Sequence, residues 1–171
     1  MNTGNEFQAW GDEELILLRI TGVDRPGLTA SIMEILSKYD VSIQDIGQAD
    51  IHSTLSLGFL IRVAEENSGR VMKELLFRAS ELGVNIRFYP ITIEEYEDWV
   101  RRQGKNRYIL TALGRKLEAR QIEAITRLIA DQGLNIDAIQ RLSGRASILH
   151  PVEKTRACIQ FSVRGTPRDK N

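Results

Sequence analysis

The 171 residues carry 23 Lys and Arg against 23 Asp and Glu, so the chain as a whole has no net charge with which to recruit nucleic acid or an acidic membrane. One cysteine, Cys158, excludes an internal disulfide framework, and with only His52 and His150 beside it no metal-ligand spacing is present. No apolar run approaches the ~20 residues of a membrane helix, and Met1 to Gly11 lacks the basic start and apolar stretch of a signal peptide, so a soluble, cytoplasmic, metal-free chain is expected.

In chain order, Leu15 to Thr21 is rich in branched apolar residues and reads as a mostly buried strand that ends at the turn Gly22 to Gly27. Leu28, Ile32, Ile35, Leu36 and Tyr39 then recur at three- and four-residue steps, the apolar stripe of a helix that faces a sheet, and Asp40 ends it. Val41, Ile43 and Ile46 begin a second strand running toward His52. Leu57 to Val63 alternates as a third, with Gly58 leaving room for close approach, and these two should form a hairpin. Val71, Leu75, Ala79 and Leu82 make a second helix stopped by Gly83, and Val84 to Ile93 supplies a fourth strand. Strand, helix, strand, strand, helix, strand closes most simply as a ferredoxin-like unit, a four-stranded antiparallel sheet with both helices on one face.

Glu94 to Gln103 reads as a short linker helix, acidic at its start and basic at its end in keeping with the helix dipole. A strand at Tyr108 to Leu113, a helix at Glu118 to Gln132 and strands at Leu134 to Leu142 and Arg156 to Arg164 follow. These repeat the first half. Ile16 to Ile46 lies without a gap on Ile109 to Ile139 at an offset of 93, matching Ile16 with Ile109, Ile20 with Leu113 and Ile32 with Ile125. After a seven-residue excess between Ser143 and Arg156 the offset becomes 100, pairing Phe59, Ile61 and Val63 with Ile159, Phe161 and Val163. The expected organisation is a tail at 1–14, a first domain at 15–93, a helical linker at 94–106 and a second domain at 107–171. The second is expected to be cut short after its third strand, lacking a second helix and a fourth strand, as if taken from a longer polypeptide. An unpaired edge there predicts a homo-oligomer.

Charge is divided unevenly: residues 1–100 carry −9 and residues 101–171 carry +9. A basic half can mean nucleic acid, but an equal and opposite half in the same chain makes mutual attraction the simpler reading.

The sharpest local feature is Val23-Asp24-Arg25-Pro26-Gly27-Leu28-Thr29, between the first strand and first helix. The free amides of a first helical turn favour a carboxylate, Gly27 lets a ligand approach the backbone, and Asp24 can accept bonds from an ammonium group, which together suit a small zwitterion. Such a turn is more often only a helix N-cap with a fixed entry angle. The matching loop, Gly114-Arg115-Lys116-Leu117-Glu118, has neither the Asp nor the Pro-Gly. Asn135 begins the second strand of the second copy, where Ser42 stands in the first; it can face a ligand or simply satisfy a turn. No phosphate-binding glycine loop, Gly-x-Ser-x-Gly or Asp-x-Asp pair is present, so no catalytic residue is nominated. Cys158, in an alternating strand, reads as a passive half-buried thiol.

The segments Leu17 to Thr29, Val41 to Gln48 and Tyr108 to Gly114 resemble tandem ACT domains, the small-molecule-sensing modules of amino-acid metabolism. With the linker Glu94-Glu95-Tyr96 and Trp99-Val100, the chain is similar to the N-terminal regulatory region of bacterial phosphoserine phosphatases. That resemblance implies an α+β fold of two ferredoxin-like (βαββαβ) units. It implies a parent enzyme making L-serine, with magnesium confined to a catalytic domain outside these residues, so this chain is not itself an enzyme and needs no cofactor. It further implies amino-acid binding between paired domains, L-serine being the first candidate, through Asp24, Arg25, Pro26, Gly27, Leu28 and Thr29 with Asn135 from the second copy. The alternative is a free-standing tandem regulator resembling glycine-cleavage-repressor accessory proteins, acting through a protein or nucleic-acid partner.

Overall fold

Alternation decides the first sheet. In strand β1 (Glu13–Val23) Ile16, Leu18 and Ile20 point to one face, and helix α1 (Leu28–Ser37) buries Leu28, Ile32, Ile35 and Leu36 against it. The computed structural model describes residues 11–115, 118–145, 149 and 156–168, and the chain divides into two compact units, Met1–Asp98 and Trp99–Asn171.

Strands β2 (Ser42–Ile51) and β3 (Thr54–Ala64) form the expected hairpin, with a bulge between Ile43 and Asp45. Helix α2 (Glu65–Leu82) ends on Gly83, whose φ of 65° is the left-handed cap its position anticipates, and strand β4 (Asn85–Ile91) follows. Sheet order is β2-β3-β1-β4, antiparallel throughout, with α1 and α2 packed on each other and on a continuous core. Sixteen of the described residues are buried in that core. Gly58 is not a point of close approach: a Cβ there would meet the Leu18 and Gly47 carbonyls at 3.8 and 3.9 Å, ordinary contact distances. The crowded glycine of this sheet is Gly22, whose Cβ would lie 2.6 Å from Val84 Cγ1.

Helix α3 (Ile93–Gln103) carries Glu94 and Glu95 in its first turn and Arg101 and Arg102 in its last. The second unit then forms β5 (Arg107–Gly114), α4 (Ala119–Asp131), β6 (Asn135–Arg141) and β7 (Ala157–Arg164) in a sheet of order β5-β7-β6. Glu118 caps α4 in a reciprocal capping box with Gln121. Among the described residues no strand lies beyond β5 and no second helix covers the sheet, and the core reduces to Ile129, Ile159, Phe161 and Val163. Lys116, Leu117, His150 and most of the excess between Ser143 and Arg156 lie outside the described residues.

The duplication holds, but its offset needs correcting. Leu18 pairs with Phe59 and Leu110 with Phe161, so β1 and β5 are offset by 92 residues, and β3 and β7 by 102. Only after the β5–α4 loop does 93 apply, where Ile43 pairs with Ile61 and Ile136 with Val163. A one-residue slip reverses every side chain of a strand. Ile109 and Leu113, which the gapless alignment placed in the core, are 55% and 76% exposed on the face away from α4. The true counterparts of Ile16 and Leu18 are Tyr108 and Leu110. These are half-exposed, whereas Ile16 and Leu18 are buried beneath α2 and beside β4.

Candidate functional site

The β1–α1 turn owes its shape to Pro26-Gly27. The Leu28 amide donates to the Arg25 carbonyl at 3.3 Å, and Gly27 has φ 87°, ψ −4°, which are the third-residue dihedrals of a type II turn with proline at the second place. Gly27 is also the N-cap residue of α1 and supplies no side-chain cap. The glycine is thus required by its backbone angle; its Cβ would touch nothing within 4 Å.

Three contacts pin this turn within the first unit. The Asp24 amide donates to the Ser53 carbonyl at 2.9 Å in the β2–β3 turn, where His52 adopts φ 61° and its Nδ1 lies 3.1 Å from Ser53 Oγ. The Arg25 guanidinium donates to the Leu82 carbonyl at the C-terminal end of α2, where the helix dipole favours a cation. Thr29 Oγ1 donates to Gln48 Oε1 at 3.2 Å, tying α1 to β2.

The nominated residues therefore divide by role. Arg25 is committed to α2 and Leu28 lies in the core, so neither side chain is available as the turn stands. Asp24 is exposed, and among the described residues its carboxylate accepts no hydrogen bond. The Thr29 and Ala30 amides likewise have no acceptor among the described residues, whereas Ser31 N–H already reaches the Gly27 carbonyl at 2.9 Å. An exposed acceptor beside two free helix N-terminal donors has the polarity to meet an ammonium and a carboxylate on one small molecule.

Asn135 opens β6 in the second unit. Its amide donates to the Ile136 carbonyl at 3.4 Å and to Asp137 Oδ1 at 3.1 Å. It lines a cleft of about 400 Å³ together with Trp99, Lys105 and Arg164. Sequence reasoning missed this cleft, although the surplus of basic residues after position 100 was a signal of it. Cys158 is free and half-buried. No group of three His, Cys, Asp or Glu among the described residues could hold a metal ion, and no helix among them is long and apolar enough to cross a membrane.

Residues 14–89 and residues 107–148 each match a family model described as an ACT domain. The chain carries two ACT domains. Phosphoserine phosphatase SerB2 of Mycobacterium tuberculosis is 28% identical over 129 residues, covering 75% of this chain and 31% of that protein. A phosphoserine phosphatase of Streptomyces coelicolor is 29% identical over 154 residues, covering 90% of this chain and 34% of that one. The chain thus spans about a third of the length of these two relatives. Among solved structures, a protein of unknown function from Galdieria sulphuraria superposes with a TM-score of 0.65 at 16% identity, covering 88% of this chain and 81% of its own. A candidate glycine cleavage system transcriptional repressor superposes with a TM-score of 0.61 at 15% identity, covering 90% and 81%. At such identities the structural likeness speaks for the ACT fold alone.

Proposed function

We propose that this chain is the amino-acid-sensing regulatory part of a cytoplasmic phosphoserine phosphatase of L-serine biosynthesis. In this reading it binds L-serine or a close relative where ACT domains pair. The carrying observation is the β1–α1 turn, which holds in one short segment the Asp24 carboxylate and the Thr29 and Ala30 amides of a helix start, none of them with a hydrogen-bond partner among the described residues. The two phosphatase relatives support the setting, since their alignments cover 75% and 90% of the chain. Asp24 takes the ammonium group and the amides take the carboxylate, while Asn135 contributes from a second ACT domain. Ligand energy then biases one arrangement of domains or copies over another, which is all a sensor without catalytic groups needs to do. A homo-oligomer fits the half-exposed Tyr108 and Leu110 on β5.

Titration calorimetry with L-serine tests the site. Saturable heat is expected for the chain and should be lost in Asp24→Ala, a change that removes an exposed carboxylate with no partner and so spares the fold. Equal heats in the two proteins would refute the assignment. The alternative, a free-standing regulator of the glycine-cleavage-repressor type, draws on a fold likeness at 15% identity and has no residue-level observation in its favour.

A further inference from the structure

Strand register places three side chains in a row across the second sheet, Arg107 on β5, Arg164 on β7 and Asn135 on β6. The equivalent row of the first unit is Leu15, Arg62 and Ser42. There the arginine is answered by a carboxylate on the neighbouring strand, Glu13, at 3.3 Å. By the offset that relates β1 to β5, the second unit carries Lys105 at the place of Glu13 and Arg107 at the place of Leu15. One carboxylate has been replaced by a cation and one apolar residue by another cation.

Arg164 is nonetheless buried, at 9% exposure. Its Nη2 pairs with Asp137 Oδ2 at 2.9 Å and its Nη1 donates to Gln103 Oε1. Its Nε is buried without a hydrogen-bond partner among the described residues. Asp137 also receives the Asn135 amide, so the carboxylate that pairs with Arg164 has part of its capacity spent, and Lys105 lines the same cleft. Arg168 adds a further cation near Gly133, its Nε 3.2 Å from the position a Cβ would occupy there. Like charges directly opposed across a sheet cost stability, and a buried guanidinium with an unmet donor costs more. An arrangement of this kind is relieved by an anion with several acceptor oxygens.

We propose that the cleft at the start of β6, formed by Trp99, Lys105, Asn135, Asp137 and Arg164, is a binding site for a small oxyanion, a phosphate or carboxylate group. Its volume of about 400 Å³ suits a ligand of metabolite size. Lys105 and Arg164 supply the charge, Asn135 an amide donor, and the Trp99 ring a wall. The site lies wholly within the second unit; it shares Asn135 with the amino-acid reading but needs no residue of the first turn.

Fluorescence of Trp99 reads the cleft directly once the chain's other tryptophan is removed as Trp10→Phe. The full chain in that background is titrated with inorganic phosphate, with sodium acetate, and with sodium chloride at matched ionic strength. A saturable change with phosphate or acetate, absent with chloride, is expected, and whichever oxyanion saturates identifies the class. Lys105→Glu restores the charge found in the first unit at an exposed position and should weaken that binding about tenfold or more. Arg164→Lys should weaken it as well, and Asp24→Ala should leave it unchanged. If Arg164 only braces Asp137 on β6, the phosphate and acetate curves will superimpose on chloride, or Lys105→Glu will bind as its parent does; either result overturns the proposal.

Discussion

Gly27→Ala isolates what the candidate turn needs from its glycine. A Cβ at Gly27 would meet nothing within 4 Å, so no packing penalty enters, and the cost is that of holding an L-residue at φ 87°. That cost is about 1–2 kcal/mol, with asparagine, whose short amide tolerates the left-handed region, costing less. Native-state hydrogen exchange of the β1 and β3 amides in the first unit is the suitable assay, because it reports the opening of that unit's core apart from the second. A loss of 1–2 kcal/mol lowers protection there by a factor of roughly 5 to 30, and Gly27→Asn should fall between Ala and the parent. Protection in Gly27→Ala equal to that of the parent would refute the backbone argument. A Gly27→Asn variant as damaged as Gly27→Ala would also refute it, since steric exclusion would then be at work where the structure has open space.

Gly22→Ala forces a Cβ to within 2.6 Å of Val84 Cγ1 and 3.2 Å of its Cα, and should destabilise by about 1–3 kcal/mol. Combining it with Val84→Ala should recover part of that loss in urea unfolding, a non-additivity that independent sites would not give. Phe161→Ala costs about 3–5 kcal/mol in either register, but the corrected register of β5 predicts that Ile109→Ser stays within about 0.5 kcal/mol, and a core-sized loss at Ile109 would restore the gapless alignment. The Tyr39 hydroxyl donates to Glu74, which also pairs with Lys38 at 3.2 Å; these bonds hold the Glu74 carboxyl below its ordinary range and, through Glu74, hold Tyr39 above its own. Glu74's contribution is therefore present above the ordinary carboxylate value and lost as pH falls through its depressed one. Tyr39's contribution is present below the ordinary tyrosine value and lost as pH rises through its raised one. The stability difference between the parent and Glu74→Gln should accordingly shrink at both the acid and alkaline limits of a pH series.

How much of this was legible beforehand varies by element. The stripes Leu28, Ile32, Ile35, Leu36 and Val71, Leu75, Ala79 foretold α1 and α2 because a helix that buries one face must repeat its apolar residues at that face's spacing. Pro26-Gly27 announced a turn, since proline and a positive-φ glycine together leave the backbone few alternatives. The register of β5 was not legible. Tyr108, Ile109, Leu110, Ala112 and Leu113 put apolar residues on both faces of the strand, so the alternation that orients a strand is missing there.

Local sequence, then, determined the order of elements and the turn, because each rests on residues within a few positions of one another, and the duplication, because the same local pattern recurs along the chain. The tertiary structure alone decided which face of β5 meets Val163, Phe161 and Ile159, and that Arg25 serves α2 rather than lying open. It also brought Lys105, Asn135, Asp137 and Arg164 to one cleft. Cross-strand pairing joins residues dozens of positions apart, and the energy that selects a register or gathers like charges comes from partners that no local window of sequence contains.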